Sequence, residues 1–381
     1  MIADGVVRGM RIAQDVSPVN TALHKFMLGF EGTSVPRELT ELLAKGLAGV
    51  AIYPRNFNGI KELAALTDEI RRAAGRPVVI GIDQEGGTRF SLPEPFTPWP
   101  SPAELGRLND PRAVQRIARA MARELRAAGV NLNFAPMLDL HVNPDSPVTQ
   151  TRSYGADPER VGRLGRAFAK GMLREGIFSC AKHFPGHGDT TTDPHLDLPV
   201  FGGTMERLRK AELVPFRLVR NDVHMMMTAH ILLPQIDPER PASLSPALLK
   251  GVLRGQLHFH GIILADDLGM GAIARRYGPG EAAVASFQAG TDIALLCHDW
   301  PAVRPALSAV ESALARGAFD TEEWQASRAR VEFLREALET MEKSGRASPR
   351  FPGGASLHLV GCNEHRRLAE EIRARAAAAG G

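Results

Sequence analysis

The feature that most constrains this chain is a rhythm. Short apolar runs recur at 26–30, 49–53, 77–82, 130–135, 178–183, 224–230, 261–265 and 291–296, and longer stretches with helical spacing separate them. Several of those stretches open with a capping residue followed by proline, at Asp110-Pro111, Asp157-Pro158 and Ser245-Pro246, an arrangement pre-set for a first helical turn. Strands that are apolar throughout belong to parallel sheets covered by helices. Eight strand-helix units in sequence predict a single α/β domain over 1–343, a (β/α)8 TIM-type barrel. An open doubly wound sheet is the competing architecture. It is weakened by the lack of a Gly-x-Gly-x-x-Gly turn after the early strands and of any phosphate-binding Gly-x-x-x-x-Gly-Lys-Ser/Thr loop.

Composition narrows the classes further. With 44% hydrophobic and 23% charged residues, the 381-residue chain is neither disordered nor a small disulfide scaffold. The formal charge of +3 is spread over arginines interleaved with acids, which leaves no footprint for nucleic acid. Cys180, Cys297 and Cys362 are odd in number and lack metal-ligand spacing, as expected of small apolar residues in a reducing compartment. Asp4, Gly5, Arg8 and Arg11 break the N-terminal apolar run, so no signal-peptide core is expected, and no stretch is long enough to span a bilayer. The expectation is a cytoplasmic monomer without membrane or nucleic-acid partners. Residues 344–354, SGRASPRFPGG, read as a linker, and 355–381 as an appendage of one short strand and one Arg-rich helix, without catalytic role.

In such a barrel, chemistry gathers where the strands end and the following loops converge. Polar clusters fall there: Asp83-Gln84-Glu85-Gly86-Gly87, Lys182 to Asp189, His230, and Asp266-Asp267. One polar cavity is expected from their convergence. In the stretch KHFPGHGDTTTDPHLDLP, the side chains of His183, His187, Asp189, Asp193 and His195 could in principle bind a metal. Lys182 would set a positive charge beside any such cation, and no metal site is expected. Asp266 and Asp267 are adjacent on a strand, so their side chains diverge and only one enters the cavity.

Lys182-His183-Phe184-Pro185-Gly186-His187-Gly188, followed four residues later by Asp193-x-His195, resembles the signature of bacterial β-N-acetylglucosaminidases in glycoside hydrolase family 3. Further motifs similar to that family's occur in order: Asp83 to Gly87, Ala135-Pro136-x-Leu138-Asp139, Arg152-Ser153-Tyr154-Gly155, Thr228-Ala229-His230, Pro241 to Ser245, and Asp266-Asp267-Leu268-x-Met270. The resemblance covers 24–340 and implies the short, one-domain barrel. Two positions depart from it. Pro194 stands where the family usually has Ser or Thr, and Thr88-Arg89 follows Gly87 where an Arg-x-x-Arg run is common.

By resemblance, Asp266 is the nucleophile and His195 the acid/base, oriented by Asp193. Histidine suits such a role because its ordinary pKa near 6.5 lets it give and take a proton around neutrality. Asp83, Arg152, Lys182 and His183 are implied ligands of the sugar hydroxyls, with Arg89 a further one. His230 and Asp139 stand between sugar contact and support, His187 and Asp189 shape the loop, and Asp267 is a structural partner. The activity implied is exo-acting, retaining hydrolysis of terminal β-linked GlcNAc on peptidoglycan-derived saccharides or muropeptides, with no cofactor. Two alternatives are a phosphorylase on the same scaffold and a non-catalytic GlcNAc-binding barrel, the latter motivated by Pro194.

Overall fold

The computed structural model describes residues 22–343 and 356–379; the N-terminal stretch read above and the expected linker lie outside them. In chain order the strands are β1 (Phe26–Leu28), β2 (Gly49–Ile52), β3 (Val79–Ile82), β4 (Leu132–Asn133), β5 (Phe178–Phe184), β6 (Met225–Thr228), β7 (Leu232–Leu233), β8 (Asp237–Pro241), β9 (Ile262–Ala265) and β10 (Ile293–Leu296). Eight of them close a parallel barrel in the order β1-β2-β3-β4-β5-β6-β9-β10, and β10 pairs back onto β1 through Phe26 with Ala294 and Leu28 with Leu296. The remaining two, β7 and β8, form an antiparallel hairpin in the loop after β6.

Both strand faces are buried, as the apolar runs require. One face turns inward, where Met27, Leu132, Phe134, Phe178, Met225 and Leu264 fill the barrel; the other packs beneath the surrounding helices. Gly81 makes room for this filling, because a Cβ there would lie 2.5 Å from the Phe134 ring. The long helix Thr321–Lys343 closes the lower mouth by adding Leu334 and Leu338 to the inner cluster. Two of the three predicted helix starts open α-helices as read: Asp110 accepts from the amides of Arg112 and Ala113, and Asp157 from that of Arg160. After Ser245-Pro246 the segment Ala247–Gln256 is instead a π-helix, with Ser245 Oγ accepting from the Leu248 amide at 3.3 Å. Each such cap stabilises its helix by about 1 kcal/mol.

Among the described residues of the C-terminal appendage, the expected strand is not formed. Leu357–Leu359 make a single 3-10 turn, and the helix Asn363–Ala378 follows. A closed barrel has no free edge on which an extra strand could pair.

Candidate active site

The upper mouth is held by two buried polar networks. In the first, Lys182, two residues before the end of β5, lies 2.5 Å from Asp83 and 2.7 Å from Glu85, both just past β3. Glu85 also accepts two hydrogen bonds from Arg152, at 2.8 and 2.7 Å, in the fork geometry that makes such pairs strong and directional. Burial pushes the Glu85 carboxyl up, but the cations of Arg152 and Lys182 outweigh it and hold its pKa at about 2. Glu85 therefore fixes both cations, while Asp83 remains partly open to the mouth. Phe90, held at φ 51°, lays its ring 4.2 Å from the Arg152 guanidinium.

In the second network, Asp139 accepts from His183 Nδ1 at 2.7 Å and from the amides of His183 and His187 at 3.2 and 2.8 Å. Burial opposes the charge on Asp139, yet His183, His187 and these N–H groups keep it ionised well below the ordinary carboxylate range. His183 is thereby anchored through Nδ1, and its ring meets that of His187 edge to face.

Asp266 and Asp267 lie just past β9, which ends at Ala265, rather than on the strand as expected, and their side chains still part. Asp267 is buried: it accepts from the amides of Gly269 and Cys297 at 3.0 and 3.1 Å and meets His298 Nδ1 at 2.7 Å. Asp266 is half-buried at the mouth and accepts from the Asp267 amide at 2.8 Å. Burial raises the Asp266 pKa, but His230, His183, that amide and Lys182 bring it below the ordinary value. Burial also depresses His230. Neutral His230 donates from Nε2 to the Asp267 carbonyl at 2.9 Å and accepts at Nδ1 from Ser243 at 2.7 Å. Both its nitrogens are thus occupied, one by Ser243 and the other by the backbone that follows Asp266.

His195 lies on the loop after β5 with its side chain 54% exposed. Asp193 Oδ1 takes both the His195 amide, at 3.0 Å, and Nδ1, at 2.8 Å, which leaves Nε2 outward. Asp193 is partly buried, and although burial raises its pKa, the bonds from His195 and the charge of Arg89 lower it overall. Arg89 donates to the Pro147 carbonyl at 2.7 Å and stands 3.8 Å from Asp193 Oδ2, so its guanidinium faces the Asp193 carboxylate. The loop abuts the one that follows Asp266: the Ala272 amide donates to the Pro194 carbonyl at 3.0 Å, and a Cβ on Gly271 would lie 2.6 Å from the His195 carbonyl oxygen. Pro194 thus serves through its carbonyl, and nothing in the loop calls on the N–H that proline lacks.

The structure brings Asp83, Arg152, Lys182, His183 and Asp266 to one mouth, with Asp193 and His195 on its rim. Sequence reasoning passed over Glu85 and Phe90. Glu85 stands inside the quoted Asp83 to Gly87 motif, but Phe90 carried no signal. Among the described residues, no group of three or more His, Cys, Asp or Glu side chains is arranged to hold a metal, and no helix is long and apolar enough to cross a membrane.

A barrel with a carboxylate at the end of its seventh strand, a ring of charged hydrogen-bonding groups and an Asp-His pair on the rim is the scaffold of a glycoside hydrolase. The chain belongs to glycoside hydrolase family 3: residues 22–334 match the Glycosyl hydrolase family 3 N terminal domain. It is 39% identical over 269 residues to a beta-hexosaminidase of Neisseria meningitidis serogroup C, covering 68% of this chain and 74% of that one. A beta-hexosaminidase of Thiobacillus denitrificans is 38% identical over 302 residues, covering 74% and 84%. Among solved structures, the family 3 beta-N-acetylglucosaminidase from Paenibacillus sp. str. FPU-7 superposes with a TM-score of 0.87 at 34% identity, covering 94% of this chain and 68% of that one.

Proposed function

We propose that this enzyme is an exo-acting, retaining β-N-acetylglucosaminidase that removes terminal GlcNAc from peptidoglycan-derived fragments during cell-wall recycling. The observation that carries the reading is the division of labour between the adjacent carboxylates: Asp267 is consumed by structural bonds, and Asp266 is ionised and open to the mouth. A retaining hydrolase needs such a carboxylate below the anomeric carbon and a proton donor near the leaving oxygen. Asp266 attacks the anomeric carbon as His195 Nε2 protonates the departing oxygen. His195, now neutral, then takes a proton from the water that cleaves the glycosyl ester, and Asp266 leaves as the free carboxylate. Asp193 accepts from Nδ1 and fixes the tautomer throughout. Asp83, Lys182, Arg152 and His183 hold the sugar hydroxyls. Arg89 steadies Asp193 from the other side.

The names of the bacterial relatives support the sugar, and the free thiols of Cys180, Cys297 and Cys362 accord with a reducing, cytoplasmic setting. The test is nitrophenol release from an aryl β-N-acetylglucosaminide, with the β-glucoside and Asp266→Ala beside it. Turnover of the N-acetyl substrate alone, lost in the variant, is the expected result. Inorganic phosphate added to the same assay should leave free GlcNAc as the product; GlcNAc-1-phosphate would mark a phosphorylase, and sugar binding without turnover a non-catalytic barrel.

A further inference from the structure

The helix Asn363–Ala378 lies beyond the residues matched to the family, yet it is tied to the loop that carries Asp83 and Glu85. One face, His365, Ala369, Ile372 and Ala376, is buried at helical spacing. At its start, His365 Nδ1 meets the buried Glu124 carboxylate at 2.8 Å, and the Gly361 amide donates to the same oxygen at 2.9 Å. The other partner of Glu124 is Thr97, which donates from its amide at 3.0 Å and from its hydroxyl at 2.6 Å. Arg366 reaches the Pro95 carbonyl at 3.4 Å, Arg373 donates to that of Pro98, and the His365 ring lies 5.7 Å from that of Trp99. The helix therefore grips 95–99 through backbone and side chain together.

That segment is the backing of the β3 loop. The Gly87 amide donates to the Trp99 carbonyl at 3.0 Å, and Gly86, at φ 91°, passes so close that a Cβ would lie 2.4 Å from the Pro100 carbonyl. A continuous path of hydrogen bonds and packing runs from His365 through Glu124, Thr97 and Trp99 to the turn that sets Asp83 and Glu85. We propose that this helix is a brace for the sugar-binding loop, with His365 as its positioning residue. Its kinetic consequence rests on the function proposed above: loosening groups that bind the sugar weakens KM and spares the chemistry of Asp266 and His195.

The experiment compares His365→Ala with His365→Asn, whose amide can still donate to Glu124, and with Leu338→Ala, which opens the core at the opposite end of the barrel. In His365→Ala, KM for the aryl β-N-acetylglucosaminide should rise about fivefold with kcat within about twofold. Hydrogen exchange at the Gly87 and Thr97 amides should speed up, and His365→Asn should restore both. Leu338→Ala should lower the melting temperature without moving either readout. The proposal is overturned if KM and Gly87 exchange are unchanged in His365→Ala, or change equally in Leu338→Ala. Should His365→Ala not fold, Arg373→Met removes the bond to Pro98 and takes the same readouts. A wild-type enzyme without turnover would defeat the functional reading alone, since exchange at Gly87 still decides the brace.

Discussion

Asp266 and Asp267 carry the same side chain one position apart, just past the end of β9, and differ in their surroundings: Asp267 is tied to the Cys297 amide and His298, while Asp266 reaches the mouth. Removing the carboxylate that reaches the mouth should cost kcat more than about 1,000-fold in Asp266→Ala, measured with the aryl substrate, with little change in melting temperature. Asp267→Ala should act first on stability, because it strands the His298 ring and the Cys297 amide. His187 offers a test of charge. Burial lowers its pKa from 6.5 to about 4. Above pH 6.5 the imidazole is neutral folded and unfolded, so its burial carries no pH-dependent cost. Between pH 6.5 and 4 only the unfolded chain takes up the proton, so stability falls through that window, by up to about 3 kcal/mol. Urea unfolding across pH 4 to 7 should show this slope, and His187→Gln should flatten it. At this scale the motifs made most of the site legible, since charged residues at strand ends stand out against apolar runs. Glu85 was passed over because an anion that fixes cations looks, in sequence, like one that binds sugar. Phe90 was missed because its position depends on a φ of 51° that no local pattern announces.

The barrel strands were legible because each is apolar on both faces. Their ends were less so: β5 runs to Phe184 and β6 stops at Thr228, with His230 already in the following loop. The hairpin of β7 and β8 escaped notice because β8 reads Asp-Pro-Glu-Arg-Pro, whose charges and prolines resemble a loop. The loop bearing His195 is packed tightly against Gly271. In Gly271→Ala the new methyl would meet the His195 and Leu196 carbonyl oxygens at 2.6 and 2.9 Å, and because both are backbone the loop must move. We expect kcat to fall about tenfold or more while Asp266 stays ionised, seen as slower nitrophenol release with an unchanged fold by circular dichroism. Pro194→Ser keeps the carbonyl that Ala272 uses and should leave kcat within about threefold, measured in the same assay.

Across the whole molecule, the eightfold rhythm is matched by the closed sheet, and the closed sheet brings the loops after its strands together at one mouth. The appendage was half legible. Its helix followed from periodicity, but its docking rests on Glu124, a buried acid on the distant helix Pro111–Ala127, whose partners cannot be read from spacing. Retaining hydrolysis through Asp266 requires a covalent glycosyl-enzyme. The most direct measurement is acid-quenched intact-mass analysis of His195→Ala during turnover of an aryl β-N-acetylglucosaminide with a good leaving group, where loss of the base slows hydrolysis of the glycosyl ester. The expected result is a protein heavier by one N-acetylglucosaminyl unit, mapped to the peptide containing Asp266 and absent when Asp266→Ala is added. Product formation with no protein-bound sugar, or an adduct on another residue, would contradict it.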